Sequence, residues 1–252
     1  MTSHCAKVGE LLKIARRVLF ITGAGVSAES QIPTFRGATA AFANGMTEDG
    51  LPFEEVLSAE TFLNNPKLAW KYLSLLELSI RGKVPNQAHQ VMAELQNQRR
   101  SIYVATQNID ELHQRAGSRN VLELHGNLRR IICTSCSYHV HLETFASIAK
   151  LPRCPQCDAV LRPDVVLYGE SLPPNVLDAF EREQRQGFDL VFSVGTTSLF
   201  FYVIEPVVAA ARRGVPVVEI NPEQTPISDL ADFRFSDPAG QTLQRLAQAA
   251  IG

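Results

Sequence analysis

Five short, almost unbroken apolar runs punctuate the chain: VLFITG from Val18, SIYVATQ from Ser101, NVLELHG from Asn120, DLVFSVG from Asp189 and VPVVEIN from Val215. Runs without polar alternation suit strands covered on both faces, the situation found in a parallel sheet. Between them lie segments with helical spacing, NQAHQVMAELQNQRR and FYVIEPVVAAARRG, the second closing at Gly214. Strand and helix alternating in this way predict an α/β fold, a doubly wound parallel sheet of the Rossmann-like kind. Two stretches break the rhythm: residues 38–83 read as helices and loops, and residues 127–159 hold paired cysteines. Both are expected to leave the sheet and make a smaller domain together. The larger domain is then discontinuous, built from 1–37, 84–126 and 160–252.

The cysteines sharpen the picture of the small domain. Four of the five fall in two C-x-x-C pairs, Cys133/Cys136 and Cys154/Cys157, seventeen residues apart. Each pair forms a knuckle that brings two thiolates onto one ion, and two knuckles complete a tetrahedral shell. Four thiolates leave no open position for water, so the expected Zn2+ is structural. His139 and His141 lie between the knuckles and are read as exposed strand residues, and Cys5 as incidental.

Composition then excludes several classes of partner. With 252 residues, 45% of them hydrophobic, the chain can bury a substantial core. The formal net charge is −2 and no basic block occurs, which argues against nucleic acid or an anionic membrane as the main ligand. No apolar run reaches the roughly 18 residues of a membrane span. The N-terminus lacks the apolar core and small-residue cleavage site of a secretion signal, so a cytoplasmic location is expected.

The first strand runs into Gly23-Ala24-Gly25-Val26-Ser27-Ala28, a match to the G-x-G-x-x-A form of the dinucleotide loop. Its glycines permit a tight turn and close approach of backbone N–H groups to a pyrophosphate. The helix that should follow is cut short by Pro33, and Phe35 and Arg36 come next. A hydride-transferring dehydrogenase should also carry an acidic residue about 20 positions on, at the end of a second strand. Here Glu48 and Asp49 fall in a loop-like stretch, GMTEDGLP, which weakens that reading. Polar loops follow other predicted strands: TQNID, GTTS and NPE. In a doubly wound sheet such loops face the ligand, so Gly195, Thr196 and Ser198 are candidates for a ribose or phosphate and Asn221 for the adenosine part.

Taken together, GAGVSAESQIPTFRG, TQNIDELHQRAG, LHGN, the two C-x-x-C pairs, RPDVVLYGE, GTTS and INPE resemble, in order and spacing, the signature set of the sirtuins, NAD-dependent protein deacylases. The resemblance implies that NAD is a co-substrate held by Gly23, Ala24, Gly25 and Ser27. It implies that Phe35 and Arg36 sit on a loop folding over NAD, and that Gln107, Asn108 and Asp110 line the nicotinamide-ribose pocket. By the same resemblance His125 is the catalytic base, acting with Asn108 and Asp110. Val166, Tyr168 and Gly169 belong to the channel for the acylated lysine of a protein substrate. Nicotinamide and O-acyl-ADP-ribose would be the products. A protein mono-ADP-ribosyltransferase on the same fold is the alternative. His113, His89 and Trp70 are read as structural.

Departures from the family pattern matter for specificity. A subclass that prefers succinyl or malonyl lysine reads the acyl carboxylate with a Tyr-x-x-Arg pair in the helical insert. Here the nearest match, YLSLLEL, offers Tyr72 but places Leu75 at the arginine position. Leucine cannot make charge-assisted hydrogen bonds, so an apolar acyl pocket is expected, suited to acetyl or longer fatty acyl groups. Arg81 would substitute only in a different helix register. Tyr168 stands where phenylalanine is usual, and GTTSLFFYVIEP is bulkier than its family counterpart, which narrows the expected peptide groove.

Overall fold

The structure, a computed structural model, describes residues 3–34, 45–97 and 101–251. Phe35 and Arg36 therefore lie outside the described residues. The strands are β1 (Arg17–Thr22), β2 (Ser101–Thr106), β3 (Val121–Glu123), β4 (Gly126–Cys133), β5 (His139–His141), β6 (Leu161–Val165), β7 (Leu190–Val194), β8 (Val217–Ile220) and β9 (Phe233–Phe235). The helices are α1 (Ser3–Ile14), α2 (Ala24–Ser27), α3 (Phe53–Val56), α4 (Ala59–Asn64), α5 (Pro66–Ile80), α6 (Gln87–Asn97), α7 (Leu112–Arg115), α8 (Pro174–Arg185), α9 (Phe201–Arg212) and α10 (Ala239–Ile251).

Six strands form one sheet in the order β3-β2-β1-β7-β8-β9, and every pairing in it is parallel. The unbroken apolar runs have a direct cause. On β1, Val18 and Phe20 enter the core beneath α1, α6 and α10, while Leu19 and Ile21 enter the core beneath α8 and α9. All four are fully buried, and each contributes about 1.5–3 kcal/mol by leaving water. Phe20 stacks on Phe192 of β7, with ring centroids 4.6 Å apart. The strand order reverses between β1 and β7, and there the first glycine loop meets the loop after β7. This is where doubly wound sheets leave a crevice for ligands. β9 escapes the sequence pattern because its three residues, Phe-Arg-Phe, are only partly covered at the sheet's edge.

A second, three-stranded sheet runs β5-β4-β6, all antiparallel. It takes in Leu161–Val165, residues assigned from sequence to the larger domain, because β6 pairs along β4 and carries the chain out of the cysteine ribbon. The helical insert α3–α5 packs on this sheet through one apolar cluster that includes Phe53, Trp70, Leu73, Leu128 and Leu161. Trp70 Nε1 donates to the Leu161 carbonyl at 2.8 Å. Among the described residues no helix is long and apolar enough to cross a membrane.

Candidate active site

The truncated helix expected after the glycine loop is present as α2, which passes into a single 3-10 turn, Ala28–Ser30. Gln31 is left-handed, with φ of 61°, and Pro33 follows. Helical growth ends there because proline lacks the N–H and disfavours a helical residue before it. Across the switch point the two loops touch backbone to backbone. Gly25 N donates to the Gly195 carbonyl at 2.8 Å, and Gly23 N to the Val194 carbonyl at 3.1 Å. A Cβ on Gly195 would stand 2.5 Å from Val26 N, and its φ of 59° is itself unfavourable for other residues.

A cleft of about 1460 Å³ opens over this junction and runs to the small domain. Gly23, Ala24 and Gly25, Gln107 and Asn108, His125, Val166, Tyr168 and Gly169, and Gly195, Thr196 and Asn221 all line it. Its polar wall is preassembled. Gln107 Nε2 donates to Thr196 Oγ1 at 2.7 Å, and Asn108 Nδ2 donates to the Gly23 carbonyl and to Ser27 Oγ, both at 3.1 Å. Asn221 Nδ2 donates to the Thr196 carbonyl at 2.8 Å, so its amide braces the loop after β7.

Ser27 and Asp110 do not face the main cleft. With Ala24, Ile32, Pro33, Asn108 and Ile109 they line a small adjoining recess. Ser27 Oγ donates to Asp110 Oδ2 at 2.7 Å, and Leu112 N donates to Oδ1 at 3.0 Å. Burial raises the Asp110 pKa against these donors. Ser198 departs from its expected place. It is fully buried with φ of 50°, and Thr197, not Ser198, lines the cleft. Its hydroxyl has no partner among the described residues, and its N–H is taken by Thr196 Oγ1 at 3.2 Å.

His125 ends the turn between β3 and β4. The next residue, Gly126, has φ of 78°, and a Cβ there would lie 2.0 Å from the Asp164 carbonyl oxygen. The histidine backbone accepts from Val166 N at 3.0 Å, which ties the imidazole to the segment expected to form the acyl channel. That segment is clamped by Glu170, which accepts from Arg162 at 2.6 and 2.9 Å and from Leu167 N at 2.8 Å. Tyr168 is stitched to the insert by Tyr168 N to the Leu57 carbonyl and Ala59 N to the Tyr168 carbonyl. Burial lowers the His125 pKa to about 4, partly offset by a hydrogen bond to the Gln107 backbone. The ring is therefore neutral at physiological pH. The sequence reading did not pick out Tyr202, whose hydroxyl lies 2.5 Å from His125 Nε2.

The expected place of Tyr72 needs a correction. Tyr72 is buried away from the cleft and its hydroxyl donates to Asp49 Oδ2 at 2.6 Å. Leu73 and Leu76 line the cleft instead, one residue further along α5 than Tyr72 and Leu75. The register differs because α5 turns Tyr72 toward the loop that carries Asp49. Arg81 cannot serve either, being bound to the buried Glu77 carboxylate.

His89 and His113 pack together in the core, with ring centroids 4.7 Å apart, as the structural reading expected. Burial lowers the pKa of His89 to about 4 and that of His113 well below the usual value. A depressed folded-state pKa means that the unfolded chain binds the proton more readily. The stability such a group contributes is complete above about pH 6.5 and is lost as the pH falls toward 4. At pH 5 the loss from His89 is about 2 kcal/mol, opposed in part by Asp110, whose raised pKa has the opposite sign. Thermal melts from pH 7.5 to 5 are expected to show a falling Tm, and a flat profile would contradict this.

The four cysteines form a separate centre. Cys133 and Cys157 have sulfurs 3.4 Å apart, Cys136 and Cys154 3.6 Å, and all four lie within 4.8 Å of one another. A disulfide requires about 2.05 Å, whereas four sulfurs 2.3 Å from a central ion stand about 3.8 Å apart. Ser135 N and Gln156 N donate to Cys133 Sγ and Cys154 Sγ, the turn geometry of two knuckles. The Ala159 N–H lowers the Cys157 pKa, but hydrogen bonds with the other thiols and burial push it up to about 12. Thiols so crowded cannot all ionise without a cation between them, and the donor set fits structural zinc. His139 and His141 stay outside the cluster on β5, and His141 bonds Glu111.

A doubly wound parallel sheet with preassembled switch-point loops, carrying a four-thiolate ribbon as a satellite, defines a nucleotide-binding protein of the Rossmann-like class with a structural metal module. The chain belongs to the Sir2 family, whose model matches residues 23–201. It is 42% identical over 244 residues to NAD-dependent protein deacylase 2 of Pseudomonas aeruginosa, covering 95% of each chain. Among solved structures it is similar to a Sir2 homolog–NAD complex, with a TM-score of 0.87, 37% identity and coverage of 97% of this chain and 93% of that one. It is also similar to a Sir2–p53 peptide–NAD+ complex, with a TM-score of 0.82, 28% identity and coverage of 94% and 95%.

Proposed function

We propose that the protein is an NAD-dependent lysine deacylase acting on acylated side chains of proteins, with acetyl or longer apolar acyl groups preferred. The observation that carries this is the continuity of one cleft from the glycine loops, past His125, to an apolar wall of Phe53, Leu57, Leu73, Leu76 and Tyr168. A nucleotide and an aliphatic stem can meet there beside a neutral imidazole. The relatives named as deacylases favour this reading over transfer of ADP-ribose to protein.

When bound, NAD supplies a ribose carbon from which nicotinamide departs, open to the acyl oxygen of the substrate. The Ala24 N–H at the start of α2 and the loop of Thr196 and Thr197 would hold the phosphates and ribose, with the Gly23 and Gly25 N–H groups spent on joining the two loops. Gln107 and Asn108 on the cleft wall, with Asp110 in the small recess of about 30 Å³ behind them, would face a flat amide-bearing ring, and Ser27 fixes the orientation of Asp110 and Asn108. Val166 and Tyr168 guide the acyl-lysine stem, and burial of the cleft keeps water from competing. His125 takes a proton from the ribose hydroxyls at Nε2. The larger domain supplies the nucleotide half of the site, and the insert together with the segment Val165, Val166 and Tyr168 supplies the acyl half. A cytoplasmic location accords with a centre of reduced thiolates.

A panel of acyl-lysine peptides tests the reading. Acetyl and fatty acyl peptides are expected to release nicotinamide from NAD. Succinyl peptide is expected to show kcat/KM at least about tenfold lower, because among the described residues the wall of Phe53, Leu57, Leu73, Leu76 and Tyr168 offers no cation to its carboxylate. Leu76→Arg should raise succinyl turnover and lower that of fatty acyl peptide. Absence of peptide-dependent nicotinamide release would overturn the proposal, and succinyl turnover equal to acetyl would overturn the acyl preference alone.

A further inference from the structure

The lone pair that His125 needs is already engaged. Tyr202, in the first turn of α9, puts its hydroxyl 2.5 Å from His125 Nε2. Phe200 stacks flat on the Tyr202 ring, with centroids 5.4 Å apart and planes 8° apart. Both rings meet the imidazole edge to face, at 5.9 and 5.8 Å. A base that takes up a proton at Nε2 carries its own on Nδ1, and in that tautomer Nε2 is the acceptor. Tyr202 is the donor to it, and burial with the neighbouring Tyr168 keeps its phenol protonated.

The residues just before Tyr202 are exposed. Leu199, Phe200 and Phe201 are exposed by 53%, 38% and 78%, so this turn lies on the cleft's rim, while the half-buried Tyr202 ring packs against the core beneath α9. Exchange at Nε2 asks only the hydroxyl to give way, while the ring keeps its packing on Phe200 and the core.

We propose that Tyr202 is a reversible cap on the base: its hydroxyl occupies Nε2 in the free protein, and a nucleotide ribose hydroxyl must displace it to reach His125. The proposal rests on the reading of the cleft as an NAD site. Tyr202 thereby acts as a positioning residue that sets the affinity for the sugar. The cap also keeps the base closed to solvent until a nucleotide arrives. Its chemistry is exchange of one O–H···N hydrogen bond for another, with no bond made or broken.

Tyr202→Phe retains the ring and its stacking on Phe200 and removes only the hydroxyl. ADP-ribose, which carries the same ribose, is the calorimetric probe. Loss of one competing hydrogen bond should tighten its binding by about threefold to tenfold, and kcat/KM for NAD should rise by a similar factor. The 15N resonance of His125 Nε2 in the free protein should move toward that of an imidazole without a donor. Equal affinity of wild type and variant, or an unmoved resonance, overturns the cap. A fall in kcat/KM also overturns it, making the hydroxyl a participant in turnover. Failure of ADP-ribose to bind the wild-type protein sinks the nucleotide reading itself, and displacement by ribose with it.

Discussion

His125→Ala is expected to lower kcat for deacylation by about a hundredfold to ten-thousandfold, the usual span for loss of a positioned general base. Binding of ADP-ribose should persist, because the glycine loops, Gln107, Asn108 and Thr196 form their hydrogen bonds without the imidazole. The fold should persist too, since the side chain is only half-buried and the next residue, Gly126, sets the turn. Burial holds the His125 pKa near 4, so the wild-type base is ready from about pH 5 upward and needs no deprotonation at neutrality. Turnover in the alanine variant within a few-fold of wild type would remove the histidine from the mechanism.

Stripping the metal is expected to be as damaging by a different route. Structural zinc in thiolate sites contributes about 10–16 kcal/mol at pH 7, comparable to or above the whole stability of a typical domain. The small domain has few other means of closing. Its sheet has three strands, and two of its cysteines, Cys133 and Cys154, are buried in the cluster that binds it to the insert. Chelation under reducing conditions, or Cys133→Ala, should unfold this part and abolish turnover. Trp70 is the only tryptophan and is buried against Leu161 and Phe145, so its emission should shift to the red. A metal-free, fully reduced protein with unchanged Tm and unshifted emission would show that the four thiols hold no structural ion.

The parts of this molecule that were legible in sequence are those with a short-range physical signature. Strands buried on both sides declare themselves as apolar runs, and Val18–Ile21 is buried on every side chain. Paired C-x-x-C knuckles announce a shared ion because the spacing alone dictates the turn. The glycine loop and Pro33 together announced a helix that stops early. What remained hidden depends on contacts between distant segments. Nothing local reveals that α5 turns Leu73 and Leu76 toward the cleft and Tyr72 toward Asp49. Ser198 and Thr197 are adjacent and chemically alike, and only the left-handed turn at Ser198 decides which hydroxyl faces the ligand. Tyr202 lies 77 positions from His125, and its aromatic neighbours read as bulk in a groove, not as a partner for the base. β9 was missed for a plainer reason, being three residues long with a charged centre.

The face of α5 has a consequence for anyone redesigning this protein. Trp70, Leu73 and Leu76 recur every third position, so the same stripe that anchors the cysteine ribbon also walls the cleft, where the proposed reading seats the acyl chain. Chain-length selectivity and metal retention are thus written on one surface, and changes to either are unlike independent edits. Evolution of a roomier chamber would have to proceed by swaps that conserve volume around the indole, with the ribbon's ion acting as a silent constraint on which acyl groups the lineage can explore.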